Sequence, residues 1–236
     1  MTKVLKIKNL GEVKKFLGWE IERKNNYFEV HQYTYIDKLL KNYEMFDCES
    51  LTTPIQDDDQ EIKPHLPIRE LVGSLLYLLY KSRPDISSTV QILSRNIHRP
   101  TDALMNACRN VLRYLSGTKN YRLQYGNLIN NKNNIIQVYT YAWHSDKPVS
   151  DEIISYESPI FWPTRKISKA SGSSASSELY AIVEGLKELM WINYLISDLG
   201  IEAEKQLLTD NQPEKLDIMN GPNKRSHYLE IYWAKM

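Results

Sequence analysis

The hydrophobic period of the sequence changes near residue 134, and this change limits the fold more than any other feature. Before it, three Leu-rich segments between residues 68 and 118 repeat apolar side chains every three or four positions, as packed helices do. After it, residues 135–143 and 206–210 are short apolar runs typical of buried strands, and a long helix is predicted over 177–199, with Leu195 among its inward-facing residues. Strand, helix and strand in this order predict a mixed sheet with a parallel pair covered by a helix.

Turn and cap residues predict where the elements begin and end. Gly18 and the Asn25–Asn26 pair separate short aromatic and β-branched runs, which predicts a hairpin in the first forty residues, followed by a helix. Pro84 suits the first turn of the second Leu-rich helix, while Gly117 and Gly200 are expected to end the third helix and the long helix.

Charge and cysteine content exclude several classes of protein. Lys and Arg number 30 against 29 Asp and Glu, so a nucleic-acid surface would have to be local. The two cysteines, Cys48 and Cys108, exclude a disulfide framework and a Cys-rich zinc site, and favour a reducing, intracellular compartment, cytoplasmic or nuclear. Residues 71–80 form the longest apolar stretch, which is too short to span a bilayer, so no membrane partner is expected.

Two carboxylates stand out by their positions in the predicted elements. Glu178 falls in the first turn of the long helix, and Asp210 falls at the carboxyl end of the last predicted strand. Sites in open α/β sheets gather at strand carboxyl ends, and Mg²⁺ takes oxygen ligands, so the pair could share a divalent cation. The alternative is that Glu178 complements the helix dipole and Asp210 is a turn residue.

A short basic stretch is the candidate nucleic-acid contact. Arg165, Lys166 and Lys169 could line a phosphate path, with solvated surface charge as the alternative. Serine-hydrolase and nucleotide-binding glycine motifs are missing from the sequence.

Several ordered motifs resemble the C-terminal part of the Pol polyprotein of copia-type LTR retrotransposons. LGEVKKFLGWEI (residues 10–21) resembles the strand block at the end of the polymerase palm. The spaced set RPDI, LSR, PT and RYL-GT between residues 83 and 118 resembles the thumb and connection helices. The resemblance implies an α/β (α+β) chain: a reverse-transcriptase remnant over residues 1–120, then an incomplete ribonuclease-H-like mixed sheet with flanking helices over residues 134–236.

The second half resembles the ribonuclease H domain of this family, which cuts RNA in an RNA–DNA hybrid with two Mg²⁺ ions. SELYAIVEGLKELMWI (residues 177–192) and LLTDNQP (residues 207–213) are similar to the segments carrying two catalytic acids, which places those acids at Glu178 and Asp210. The family's first catalytic Asp falls on Tyr141, and a phenol cannot bridge two metal ions. The family's second strand is also expected to be missing or shortened here.

The resemblance leaves three hypotheses for function. The favoured one is a Pol fragment, cut off before the last catalytic Asp, that is catalytically inactive and does not functionally bind Mg²⁺. The alternatives are an active ribonuclease H, and a non-catalytic module that binds an RNA–DNA hybrid, another nucleic acid or other Pol fragments.

Overall fold

An antiparallel four-stranded sheet opens the described part of the chain. The structure is a computed structural model that describes residues 11–54, 67–98, 101–126, 134–141, 149–155, 158–162, 164–165 and 174–209. The sheet has the order β1-β2-β3-β4, with β1 Lys15–Phe16, β2 Trp19–Arg23, β3 Phe28–His31 and β4 Leu123–Tyr125. The first hairpin turns at Leu17 and Gly18, both at positive φ, where glycine carries little steric cost. The last strand, β4, joins the sheet from a point about ninety residues further along the chain, through pairing with β3.

Four α-helices form the layer beside this sheet. They are α1 Tyr33–Asn42, α2 Ile68–Lys81, α3 Ser87–Asn96 and α4 Asp102–Thr118, with a 3₁₀ turn at Pro84–Ile86 before α3. The predicted helices are therefore confirmed, and Thr101 caps α4 by accepting a hydrogen bond from the Leu104 amide at 3.2 Å. Their inner faces share one core, which includes Ile36, Leu40, Leu71, Leu75, Leu78, Leu79, Ile86, Val90, Val111, Leu112 and Leu115.

The second sheet has five strands in the described part of the chain, and one long helix packs on it. Its strands are β5 Asn134–Tyr141, β6 Val149–Ser155, β7 Ser158–Phe161, β8 Thr164–Arg165 and β9 Ala203–Thr209, and its helix is α5 Ser174–Asp198. The order is β7-β6-β5-β9, with β8 paired to β6. The predicted parallel pair is confirmed, since β5 and β9 run parallel while the other pairs are antiparallel.

Three expectations need correction. The second strand of this sheet is not missing, because β6 pairs with β5 from Ser155 to Ser150. Gly117 does not end α4; it lies within the helix, where a Cβ would come 2.8 Å from the Ser50 Cβ. Leu195, expected to face inward, is 49% exposed. Gly200 does end the long helix, with φ at 74° and its amide bonded to the Ser197 carbonyl.

None of the helices in the described ranges is long and apolar enough to cross a membrane.

Candidate functional site

The carboxyl ends of β5 and β9 meet at one edge of the second sheet. The two strands are in register, with Val138 opposite Leu207 and Thr140 opposite Thr209. Tyr141 is the last residue of β5, and its backbone pairs with Ser150 on the other side. Thr209 is the last residue of β9, and Asp210 directly follows it in the sequence. The register therefore brings the residues that precede Tyr141 and Asp210 side by side.

Helix α5 packs directly on these two strands. At Gly185 an added Cβ would lie 2.3 Å from Thr140 Cγ2 and 3.1 Å from Val138 Cγ1, so the helix approaches the sheet more closely than any side chain there would allow. The apolar core between them is made of Ile136, Val138, Ile182, Leu186, Leu189 and Ile192. The contact at Gly185 fixes the position of α5 along the length of β5.

The first turn of α5 lies towards the carboxyl ends of the strands. The chain reverses at Gly200 between α5 and β9, so the helix runs antiparallel to β9. Glu178 precedes Gly185 by two helical turns, which places it on the same face of α5 and about 10 Å nearer that edge of the sheet. Glu178 and its neighbour Ser177 are both buried. Glu178, which the sequence selects as a candidate metal ligand, is therefore a buried carboxylate near this edge of the sheet.

Of the other predicted site residues, one lies in the described part of the chain and three lie outside it. Arg165 lies in β8, opposite Val149 of β6. Asp210, Lys166 and Lys169 lie outside the described residues.

The described residues do not by themselves make a metal site. Within the described ranges, no group of three or more His, Cys, Asp and Glu side chains is placed to hold an ion. Thr140, on the face of β5 that meets α5, has a buried hydroxyl with no hydrogen-bond partner among the residues that the structure describes. Its neutral oxygen does not replace a carboxylate as a bridge between two cations. The fit to two Mg²⁺ ions is therefore incomplete in this part of the chain.

A buried polar network joins two motifs that the sequence left far apart. Arg83 is 1% exposed, and its guanidinium binds the Asp85 carboxylate with contacts of 2.6 and 2.9 Å. The same guanidinium donates to the Thr118 hydroxyl at 2.6 Å and to the Thr118 carbonyl at 3.2 Å. Arg83 and Asp85 come from RPDI, while Thr118 ends RYL-GT. RPDI thus supplies both members of the ion pair, and RYL-GT supplies two further acceptors for the Arg83 guanidinium.

Aromatic rings complete this network. The Tyr114 hydroxyl donates to Asp85 at 2.9 Å, and the rings of Tyr114 and Tyr121 lie 5.6 and 5.5 Å from the Arg83 guanidinium carbon. Burial, helped by the Asp85 charge, raises the pKa of Tyr114 to about 12, so it stays a donor at neutral pH. Residues around the network line a cleft of about 430 Å³ between the turn at residues 82–85 and the chain at residues 120–124. The periodicity of the sequence could not reveal this network, because the contact between Arg83 and Thr118 spans 35 positions.

The chain thus has an antiparallel sheet with a helical layer beside it, and then a mixed sheet whose parallel strand pair is covered by a long helix. This order of elements is the fold of a solved reverse-transcriptase structure. The solved structure of the foamy viral protease-reverse transcriptase dRH in complex with ds DNA has this fold, with a TM-score of 0.51 at 12% sequence identity, over 94% of this chain and 34% of that one. The profile of the family described as "Reverse transcriptase (RNA-dependent DNA polymerase)" matches residues 1–57.

Curated relatives narrow this class further. The chain is 30% identical over 217 residues to the retrovirus-related Pol polyprotein from transposon RE1 of Arabidopsis thaliana, covering 84% of this chain and 14% of the relative. It is 23% identical over 265 residues to the Pol polyprotein from transposon TNT 1-94 of Nicotiana tabacum, covering 100% of this chain and 19% of the relative. The chain is therefore homologous to the reverse-transcriptase region of copia-type retrotransposon Pol polyproteins, and spans less than a fifth of these relatives. The resemblance seen in the motifs is confirmed.

Proposed function

We propose that this chain is a segment of a retrotransposon Pol polyprotein, with a reverse-transcriptase part over residues 1–120 and a ribonuclease-H-like part over residues 134–236 that does not cleave RNA. Homology to Pol polyproteins over most of the chain supports the first half of this proposal. The second half rests on one feature of the sheet edge: β5 ends in Tyr141, the residue on which the resemblance to ribonuclease H places the family's first catalytic Asp.

The chemistry of two-metal hydrolysis explains why this residue decides the activity. When bound, two Mg²⁺ ions activate the attacking water and stabilise the leaving oxygen, and carboxylates must hold the ions at a fixed separation. Glu178 and Asp210 are the residues that would hold a metal, but Tyr141 contributes a neutral phenol at the position that would bridge the pair. Without that bridge, the ions are not fixed for in-line attack, and the activity is lost.

A cleavage assay tests this proposal directly. The full chain is incubated with an RNA–DNA hybrid labelled on the RNA strand, with Mg²⁺ or Mn²⁺, beside an active ribonuclease H as the positive control. We expect no cleavage above that of the buffer. Cleavage that persists in the purified chain and disappears in Glu178→Gln would show that the enzyme is active and would overturn the proposal.

A second candidate function is binding of nucleic acid without cleavage. It is supported by the solved reverse-transcriptase relative, which was in complex with ds DNA, and by the basic residues Arg165, Lys166 and Lys169. If these residues contact phosphates, affinity for an RNA–DNA hybrid falls steeply as salt is raised, and a combined exchange of all three for Gln reduces that dependence. A weak affinity that does not change with salt would exclude this function.

A further inference from the structure

The C-terminal end of α2 makes contacts to four separate parts of the chain within five residues. A helix leaves its last carbonyls without partners inside the helix, so other groups must bind them when the end is buried. Leu78 O accepts from the Ser82 and Arg83 amides, as a turn following a helix allows. The side chains of these two residues then bind elsewhere: Ser82 donates to Gln32 Oε1 at 2.8 Å, and Arg83 binds Thr118.

Two indole rings bind two more of the carbonyls at this end. Trp19 of β2 donates its Nε1–H to the Lys81 carbonyl at 2.8 Å, and the Lys81 ammonium lies 4.9 Å from the centre of its ring. Trp162 donates its Nε1–H to the Leu79 carbonyl at 2.6 Å. The first ring comes from the N-terminal sheet, and the second comes from the connection between β7 and β8 of the other sheet.

Trp162 lies in the core of the helical layer, although its strands belong to the second sheet. The side chain is 8% exposed and is a member of the same apolar cluster as Leu78 and Leu79. A nearby bond supports the same junction, because the Tyr125 hydroxyl at the end of β4 donates to the Pro159 carbonyl in β7 at 2.9 Å. Burial raises the pKa of Tyr125 to about 12, so this donor also persists at neutral pH.

We infer that Trp162 is a positioning residue that holds the second sheet in one orientation on the helical layer by binding the end of α2. The ring fills a place in the helical core, and its N–H removes the cost of a buried, unpaired carbonyl at Leu79. Since β8 begins two residues later, the bond from Trp162 to Leu79 also holds the backbone that carries Arg165. The inference concerns the relation of the two sheets and does not depend on whether the chain cleaves or binds nucleic acid.

A distance measurement between the two parts tests this inference. Spin labels are placed on Lys38→Cys in α1 and Glu202→Cys before β9, both exposed positions, in a chain carrying Cys48→Ser. Cys108 is fully buried and burial raises the pKa of its thiol to about 12, so it does not take up the label. Pulsed electron paramagnetic resonance then gives the distribution of distances in the full chain.

We expect one narrow distance for the parent chain and a distribution at least twice as broad for Trp162→Phe, which keeps an aromatic ring and loses the N–H. The matched control is Trp191→Phe in α5, where the ring is 59% exposed and the distribution should not change. A narrow, unshifted distribution in Trp162→Phe would overturn the inference, even if that variant melts at a lower temperature, because a merely structural ring changes stability and not orientation.

A measurement on the unaltered chain covers the case in which Trp162→Phe does not fold. The indole N–H of Trp162 should exchange with solvent at least a hundred times more slowly than that of Trp191, as followed by nuclear magnetic resonance in D₂O. Equal exchange rates for the two indoles would show that the bond to Leu79 does not persist, and would overturn the inference.

Discussion

At the scale of single residues, the RPDI motif has a structural explanation that does not require a ligand. The Arg83 guanidinium is buried, and its hydrogen bonds go to Asp85 and Thr118, with the Tyr114 hydroxyl on the far side of the carboxylate. Such a network is stable while every member is present, and costly when one charge is left alone. The motif therefore holds the end of α2 to the end of α4.

The first prediction concerns this ion pair. Asp85→Asn leaves the Arg83 charge buried without a counter-charge, so we expect the free energy of unfolding to fall by about 3 kcal/mol. Urea denaturation followed by circular dichroism measures the change. The matched control is Asp37→Asn, which breaks the pair between Asp37 and Lys41, whose side chain is 63% exposed, and should leave the urea midpoint unchanged. Equal effects in the two variants would mean that Arg83 finds another partner.

The second prediction concerns Glu22 on the N-terminal sheet. Hydrogen bonds from Lys24, then Arg122, then His31 lower the pKa of Glu22 from 4.5 to about 2. Because the folded-state pKa lies below the unfolded one, the resulting stability is fully present above about pH 4.5 and is lost as the pH falls towards 2. We expect Glu22→Gln to be less stable than the parent chain at about pH 6, and the difference to shrink by about pH 3.

Urea midpoints at the two pH values and at low and high salt measure this effect. The Glu22 side chain is 41% exposed, so solvent screens the charges and the difference at about pH 6 should be small and should decrease with salt. Asp47→Asn, at an exposed carboxylate of the same half of the chain, is the control and should show no such trend. A difference that grows as the pH falls would contradict the assignment of the shift to these three donors.

At the scale of elements, two glycines inside helices allow another part of the chain to come close, because they carry no side chain. Gly117 lets α4 approach Ser50, and Gly185 lets α5 approach Thr140. Sequence analysis assigned Gly117 to a helix end, because a glycine near the end of an apolar pattern most often ends a helix. The contact that explains it lies more than sixty positions away, so it becomes visible only when the helices are packed.

The third prediction compares the same substitution at two glycines. Gly185→Ala places a methyl group 2.3 Å from Thr140 Cγ2, so we expect the free energy of unfolding to fall by about 1–3 kcal/mol. Gly73→Ala in α2 has open space around the new methyl group, so helix propensity alone should raise stability by about 0.5–1 kcal/mol. Urea denaturation separates the two signs. Thr140→Ser removes the opposing methyl group and should partly restore the Gly185→Ala chain; no restoration would mean that the helix shifts as a whole.

The element boundaries were largely predictable from local patterns. Periodicity predicted α2, α3, α4 and α5, because each helix buries one apolar stripe and exposes the opposite face. Strand β6 was missed, because its identification relied on a motif of the related sequences and not on the alternation of its own residues. The prediction that Leu195 faces inward was also wrong, because Leu195 lies off the face of α5 that packs on the sheet, whereas Ile192 and Ile196 of the same turns contact the core.

At the scale of the whole molecule, the candidate site was predicted in part. Position along the chain was enough to select Glu178 and the strand before Asp210, because helix starts and strand ends follow local rules. The register that sets Thr140 beside Thr209 was not predictable, since it pairs residues 69 positions apart and local patterns do not specify such a pairing. The junction at Trp162 was not predictable either, because its partner is a backbone carbonyl 83 positions away.

Among the residues that the structure describes, the two parts of the molecule differ in the number of buried apolar side chains, which leads to the last prediction. The described core of the helical layer includes residues from four helices together with Trp162, whereas the described core beneath α5 has six buried members. Fewer buried apolar contacts mean a lower free energy of local opening.

We expect amides in the middle of α5, such as Ile182 and Leu186, to exchange at a lower free energy than those of Leu75 and Leu112, which should exchange only on global unfolding. Native-state hydrogen exchange at increasing urea measures both sets. If the inference about Trp162 is correct, Trp162→Phe lowers the opening free energy of α5 more than that of α4. A single opening free energy for all four amides in the parent chain would show that the two cores unfold as one unit, and that the smaller core is not the weaker part.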